Sequence, residues 1–164
     1  MLFRSKPGDR VEISFPMQLR TSTWHNNSVA VERGPLVYSL KIGESWSKLK
    51  STGPSTDWEI YPTSPWNYAL VLDRDDPAKS IEVKERPIGK QPFSSEGAPV
   101  ELLVKARRLP AWLTVDDSAG PLPQSPVMSK EPEQTVTLIP YGAAKLRITA
   151  FPVAAGGNTA PKSN

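Results

Sequence analysis

Eighteen prolines spread along 164 residues constrain this chain more than any other feature. Each removes a backbone donor and fixes φ, and inside a helix each costs about 3 kcal/mol or more. Average usage is roughly 5%, and this chain exceeds it more than twofold. With prolines recurring from Pro7 to Pro161, long helices have little room to form.

The apolar residues fill that frame with the strand period of two. Val11, Ile13 and Phe15 alternate with Glu12 and Ser14, and Pro16 ends the run. Val29 and Val31 flank Ala30. Leu36, Tyr38, Leu40 and Ile42 share one face, with Val37, Ser39 and Lys41 on the other. Tyr68, Leu70 and Leu72 oppose Ala69 and Val71, a pattern for a strand covered on both sides. Ile81 and Val83, Val100, Leu102 and Val104, Val136 and Leu138, and finally Leu146, Ile148 and Ala150 complete the series. The series predicts about eight strands separated by turns, hence an all-β fold: an antiparallel, jelly-roll-like β-sandwich. Gly34-Pro35 breaks the chain between the second and third strands, and Pro140-Tyr141-Gly142 separates the last two. That last pair reads as a hairpin with its loop over 141–145.

Two stretches lack the alternation and read as long loops. One runs from Glu44 to Asn67 with three tryptophans; the other runs from Leu109 to Glu133 with five prolines and Trp112. Such loops are usually functional or disordered. A single domain over 1–153 is expected, followed by a small, polar, flexible tail over 154–164. Met1 to Gly8 carries charge without an apolar run behind it, so no secretory signal is expected at this start. That leaves the compartment open.

The charge is a mild +3 with both signs interspersed. Lys105, Arg107 and Arg108 lie in an alternating stretch, so a solvated strand face explains them better than a nucleic-acid stripe. No apolar run approaches the roughly 20 residues of a membrane helix. The sequence has no cysteine, which removes disulfides, thiolate metal sites and cysteine nucleophiles.

His25 is the sole histidine, set among Trp24, Asn26 and Asn27 as in a surface loop. One histidine without cysteine makes a poor zinc site, and no Gly-x-Ser-x-Gly elbow accompanies it. Asp73, Asp75 and Asp76 offer carboxylates for calcium or for glycosidase chemistry. Arg74 among them and Pro77 behind them favour a polar turn, and Asp116-Asp117 reads the same way. No catalytic residue, metal ligand or cofactor is assigned.

The five tryptophans, Trp24, Trp46, Trp58, Trp66 and Trp112, avoid the centres of the alternating strands. Large rings at strand ends close sandwiches or fill domain interfaces with the indole N–H satisfied at the rim. The alternative is a platform stacking on the apolar face of a sugar, for which Trp58, Trp66 and Trp112 are the candidates.

Three blocks carry a family resemblance. They are Gly8-Asp9-Arg10-Val11-Glu12-Ile13-Ser14-Phe15-Pro16-Met17, then Val29-Ala30-Val31-Glu32-Arg33-Gly34-Pro35-Leu36-Val37-Tyr38, then Leu138-Ile139-Pro140-Tyr141-Gly142 with Leu146-Arg147-Ile148-Thr149-Ala150-Phe151-Pro152. In this order they resemble the C-terminal β-sandwich region of bacterial glycoside hydrolase family 127, the β-L-arabinofuranosidase-like proteins. The resemblance spans Gly8 to Pro152. It departs just before Gly8, where Arg4-Ser5-Lys6-Pro7 stands in place of an expected tryptophan.

The resemblance implies a non-catalytic accessory domain. In that family, chemistry belongs to a preceding α-helical barrel with a cysteine nucleophile near zinc and a glutamate acid/base, none of which maps onto this chain. The implied partners are that barrel and another β-sandwich of the same polypeptide. The implied reaction of the whole is hydrolysis of arabinofuranosides or related sugars. A carbohydrate-binding module is the alternative, with an oligosaccharide as its partner. Glu32 and Arg33 are adjacent on a strand and so face opposite sides. Each needs its own partner, and Arg33 is expected to reach a carboxylate on a neighbouring strand or domain. With Tyr141 they are the candidate structural or interdomain residues. Surface left apolar by a missing neighbour is expected to drive self-association.

Overall fold

In the computed structural model, described over residues 6–156, proline and alternation produce an antiparallel all-β fold. The strands are β1 (Leu19–Thr23), β2 (Val29–Arg33), β3 (Leu36–Leu40), β4 (Glu44–Thr52), β5 (Ser55–Pro62), β6 (Tyr68–Val71), β7 (Ile81–Glu85), β8 (Val100–Arg108), β9 (Thr114–Val115), β10 (Ser118–Ala119) and β11 (Glu133–Pro140). The helical content of the described residues is three single turns, at His25–Asn27, Pro77–Lys79 and Tyr141–Ala143.

Seven strands form one curled sheet in the order β1-β2-β3-β11-β8-β6, with β7 also pairing β8. β8 is long enough to hold both neighbours on one edge. Its first half pairs β7 from Ile81↔Val104 to Glu85↔Val100, and its second half pairs β6 from Tyr68↔Arg108 to Val71↔Lys105. Residues at period two from each strand meet inside the curl. Val29, Val31, Tyr38, Leu40, Leu70, Leu102, Val104, Leu138 and Phe151 are buried together. Each buried aliphatic or aromatic side chain there contributes about 1.5–3 kcal/mol of transfer free energy.

The segment after β11 departs from the expected hairpin. Both edges of β11 are already occupied, by β3 and by β8, so no ladder is left for residues 146–150. They cross instead to the open end of the curl. The N–H of Leu40 donates to Ile148 O at 2.9 Å, and Val29 and Phe151 exchange two backbone bonds of 2.8 Å. The N–H of Leu70 then donates to Pro152 O at 2.9 Å, and that of Ala154 to Leu70 O at 2.9 Å. This segment joins β2 to β6 and closes the sheet at that end.

Three further expectations are corrected. The apolar alternation at 11–15 forms no strand, and Val11, Ile13 and Phe15 are 80%, 70% and 63% exposed. One edge of β1 is taken by β2, and the end of the arm packs on the turn at Gly34 instead of folding back along the other edge. β1 itself, Leu-Arg-Thr-Ser-Thr, has one strongly apolar residue and gave no alternation to read. The region from Glu44 to Asn67 is largely ordered. β4 and β5 pair from Glu44↔Pro62 to Thr52↔Ser55 around a Gly53-Pro54 turn, with Gly53 at φ 60°, a conformation that favours glycine. The second long stretch contains the small β9–β10 hairpin, turned at Asp116 and Asp117, both with positive φ. Of the expected tail, residues 157–164 lie outside the described residues, while Ala154 is buried against Leu109 and Trp112.

Candidate functional site

The tryptophans divide between core and surface. Trp112 is 5% exposed, with its ring set edge-on to Trp66 at 5.1 Å and 70°. Its indole N–H donates to Gly120 O at 3.0 Å. These two rings cap a second apolar cluster with Ala69, Leu109 and Ala154. Trp112 therefore offers no stacking face, and its role is the end-closing one. Trp58 is half exposed on β5, but its neighbour Trp46 meets it edge-on at 6.0 Å and 75°, so the pair forms no flat platform. Trp66 is partly buried and keeps one edge on a cleft described below. Trp24, 62% exposed, donates its N–H to Ser22 Oγ at 2.9 Å.

Glu32 and Arg33 do face opposite sides of β2. On the convex side, Glu32 accepts from Ser22 Oγ at 2.6 Å and from Arg20 Nε at 2.5 Å. The serine hydrogen bond, with the hydrogen bond and charge of Arg20, holds the Glu32 carboxyl below the usual carboxylate range against the opposing effect of burial. On the concave side, Arg33 Nη2 meets Glu85 Oε1 at 2.5 Å, joining the end of β2 to the end of β7. The Tyr38 hydroxyl is buried beside them, and burial pushes its pKa up, against the pull of the Arg33 charge. The carboxylate expected for Arg33 thus comes from within the domain.

The turn after β2 also anchors the N-terminal arm. Gly34 sits at φ 57° and its N–H donates to Gln18 O at 3.0 Å. A β-carbon there would approach Met17 Sδ to 2.6 Å, so the arm packs on the turn because residue 34 is glycine.

Beside this turn lies an open groove of about 600 Å³. Trp24, Leu36, Val37, Pro140 and Tyr141 give it an apolar lining, Thr149 and Ala150 form one wall, and Glu32 is its one carboxylate. Two of the three blocks that carry the family resemblance converge here, from positions about a hundred residues apart. No protein-family model, curated protein or solved structure matches this chain.

A second concavity of about 480 Å³ lies on the far side of the 146–150 segment, under the β4–β5 hairpin. Its lining is mixed. Tyr61 and Trp66 supply rings, Glu59 and Asp117 carboxylates, Arg147 a guanidinium, and Ile42 and Ile148 an apolar floor. The Tyr61 hydroxyl donates to Glu59 Oε2 at 3.0 Å. That bond and the Glu59 charge raise the tyrosine pKa, with the charge of Asp117 adding to the effect. Arg147 lies 4.4 Å above the Tyr141 ring and donates from Nε to Ala144 O at 3.0 Å. Sequence spacing gave no sign of this cleft, because its charged residues come from β5, the β9–β10 turn and the C-terminal segment.

The remaining candidates resolve into turns. His25 is an exposed residue of a one-turn helix. Asp73 Oδ1 accepts the N–H groups of Asp75 at 2.9 Å and Asp76 at 3.1 Å, an Asx turn that ends the strand. Among the described residues, no three His, Cys, Asp or Glu side chains cluster as a metal site.

Proposed function

We propose that this chain is a non-catalytic β-sandwich accessory domain of a family 127-like glycoside hydrolase, bracing the helical-barrel catalytic domain and a second sandwich of the same polypeptide. The parent would act on arabinofuranosides or related sugars in polysaccharide degradation, as the resemblance implies. One observation supports this reading most. The outward-facing residues of two of the blocks, among them Leu36, Val37 and Tyr141, meet on one side of the fold in an exposed apolar groove that Trp24 completes. The first block lies beside it as an arm whose alternate apolar side chains are exposed. An apolar face of this kind fits a protein interface better than a free surface.

The test is co-purification with the separately produced barrel-plus-sandwich portion of a family 127 enzyme. The chain should bind it, and Leu36→Asp with Val37→Asp should abolish the complex while leaving thermal unfolding nearly unchanged. Failure of the unmodified, folded chain to bind at tens of micromolar (about −6 kcal/mol) would remove the support for a bracing role.

A further inference from the structure

The cleft under the β4–β5 hairpin belongs to a different surface from the groove, with no lining residue in common. Its lining sorts ligands by charge. Glu59 and Asp117 disfavour an anion, and Arg147 offsets part of their pull on a cation. A neutral ligand with many hydroxyls satisfies both kinds, donating to the carboxylates and accepting from the guanidinium. The two rings and the isoleucine floor add a requirement that one side of the ligand be apolar. Carbohydrate rings combine these properties, with axial C–H groups on one face and hydroxyls around the rim. The volume, about 480 Å³, lies within the roughly 300–1,000 Å³ range of small-molecule sites.

From this geometry we infer that the cleft formed by Glu59, Tyr61, Trp66, Asp117 and Arg147 binds a neutral mono- or disaccharide unit. Tyr61 is the stacking ring, half exposed at the mouth and held by Glu59. Trp66 is the inner wall, fixed from behind by Trp112. Arg147 is pre-positioned by the Tyr141 ring and Ala144 O, which reduces the ordering that binding must cost. The site differs from a row of exposed tryptophans, because one tyrosine and one half-buried tryptophan supply the apolar surface and charged side chains supply orientation.

The experiment uses the whole chain with calorimetry and tryptophan emission. Ligands are cellobiose, xylobiose, maltose and an arabinofuranose disaccharide, with galactose against galacturonic acid and glucose against glucosamine as neutral and charged counterparts. At least one neutral sugar should saturate in the millimolar range, on the order of −4 kcal/mol. Tyr61→Ala and Asp117→Asn should each weaken it about tenfold or more. Both side chains are exposed and stand on different hairpins, so loss of the fold in one variant leaves the other to decide. Trp24→Ala, in the groove, should bind as the parent does. The proposal is overturned if no neutral sugar saturates at tens of millimolar. It is equally overturned if both cleft variants bind as the parent does, or if a charged sugar binds more tightly than its neutral counterpart. None of these outcomes bears on docking at the groove, which involves other residues.

Discussion

Asn67 decides whether the tryptophan-closed end of the fold holds together. It precedes β6, is nearly fully buried, and reaches into the loop that follows β8. Its Nδ2 donates to Leu109 O at 2.8 Å and to Trp112 O at 3.0 Å, while its own carbonyl accepts from the N–H of Leu109 at 2.8 Å. Asn67→Ala would strand the carbonyl of Trp112, while Leu109 O keeps the N–H of Trp112 at 2.9 Å. One unsatisfied buried group costs about 1–3 kcal/mol, so a loss in that range is expected. At roughly 2–4 °C per kcal/mol for a chain of this size, a loss of about 2 kcal/mol lowers Tm by about 4–8 °C. The assay is equilibrium urea unfolding followed by tryptophan emission, which also reports the Trp66–Trp112 pair. Asn67→Leu separates the causes: it restores volume but not the donors, so it should remain destabilised. A loss below about 0.5 kcal/mol for Asn67→Ala, or full rescue by leucine, would refute the hydrogen-bond argument.

Three other outcomes are expected. Phe151→Ala, at the fully buried position where the C-terminal segment meets Val29, should cost about 3–5 kcal/mol in chemical denaturation, and a loss under 1 kcal/mol would mean that the segment does not close the sheet. A double-mutant cycle on Arg33 and Glu85 should give a coupling of about 0.5–1 kcal/mol, because Glu85 is solvent-exposed, and a value near zero would show that the curl does not rely on this bridge. Glu32 has a lowered carboxyl pKa, so its stabilising contribution is complete above the unfolded value of about 4.3 and is lost as pH falls through the lower folded value. The stability difference between the parent and Glu32→Gln should therefore narrow on acidification from pH 5, and a gap that widens would reverse the assignment.

Alternation made most of the curled sheet legible because each of those strands buries one face. The runs at Val29–Val31, Leu36–Leu40, Tyr68–Val71, Ile81–Val83, Val100–Val104 and Val136–Leu138 all became strands, with their alternate apolar residues inward or nearly so except Leu36, which is exposed in the groove. The same signal misled at Val11–Phe15. Period two states that a segment suits a half-covered sheet, and says nothing of whether a free edge lies within reach. β4 and β5 escaped notice because their faces mix Trp46, Lys48, Trp58 and Ile60, a pattern suited to a hairpin exposed on both sides. Gly53-Pro54 was the one local sign. The groove is traceable to sequence only through the resemblance, which marked Glu32 and Tyr141 without saying that they meet. Of the cleft only Trp66 was marked in the sequence, since Glu59, Asp117 and Arg147 converge through the crossing of the C-terminal segment. That crossing follows from β11 having no edge left to offer, a property of the assembled sheet rather than of any local stretch.

The C-terminal segment also explains how two surfaces of opposite character fit on one small domain. Leu146, Arg147 and Ile148 face the mixed cleft, Thr149 and Ala150 line the apolar groove, and Phe151 to Ala154 enter the core. Backbone bonds to Leu40, Val29, Leu70 and Val127 pin the segment at four places, so the wall shared by the two surfaces is held on both sides. A partner seated on the groove would cover Leu36 and Val37 and leave Tyr61 and Asp117 open. Sugar affinity measured on the isolated chain should therefore persist when the groove is occupied. If docking instead abolished sugar binding, the segment would have to move, and its backbone amides at Phe151 and Ala154 would lose hydrogen-exchange protection in the complex.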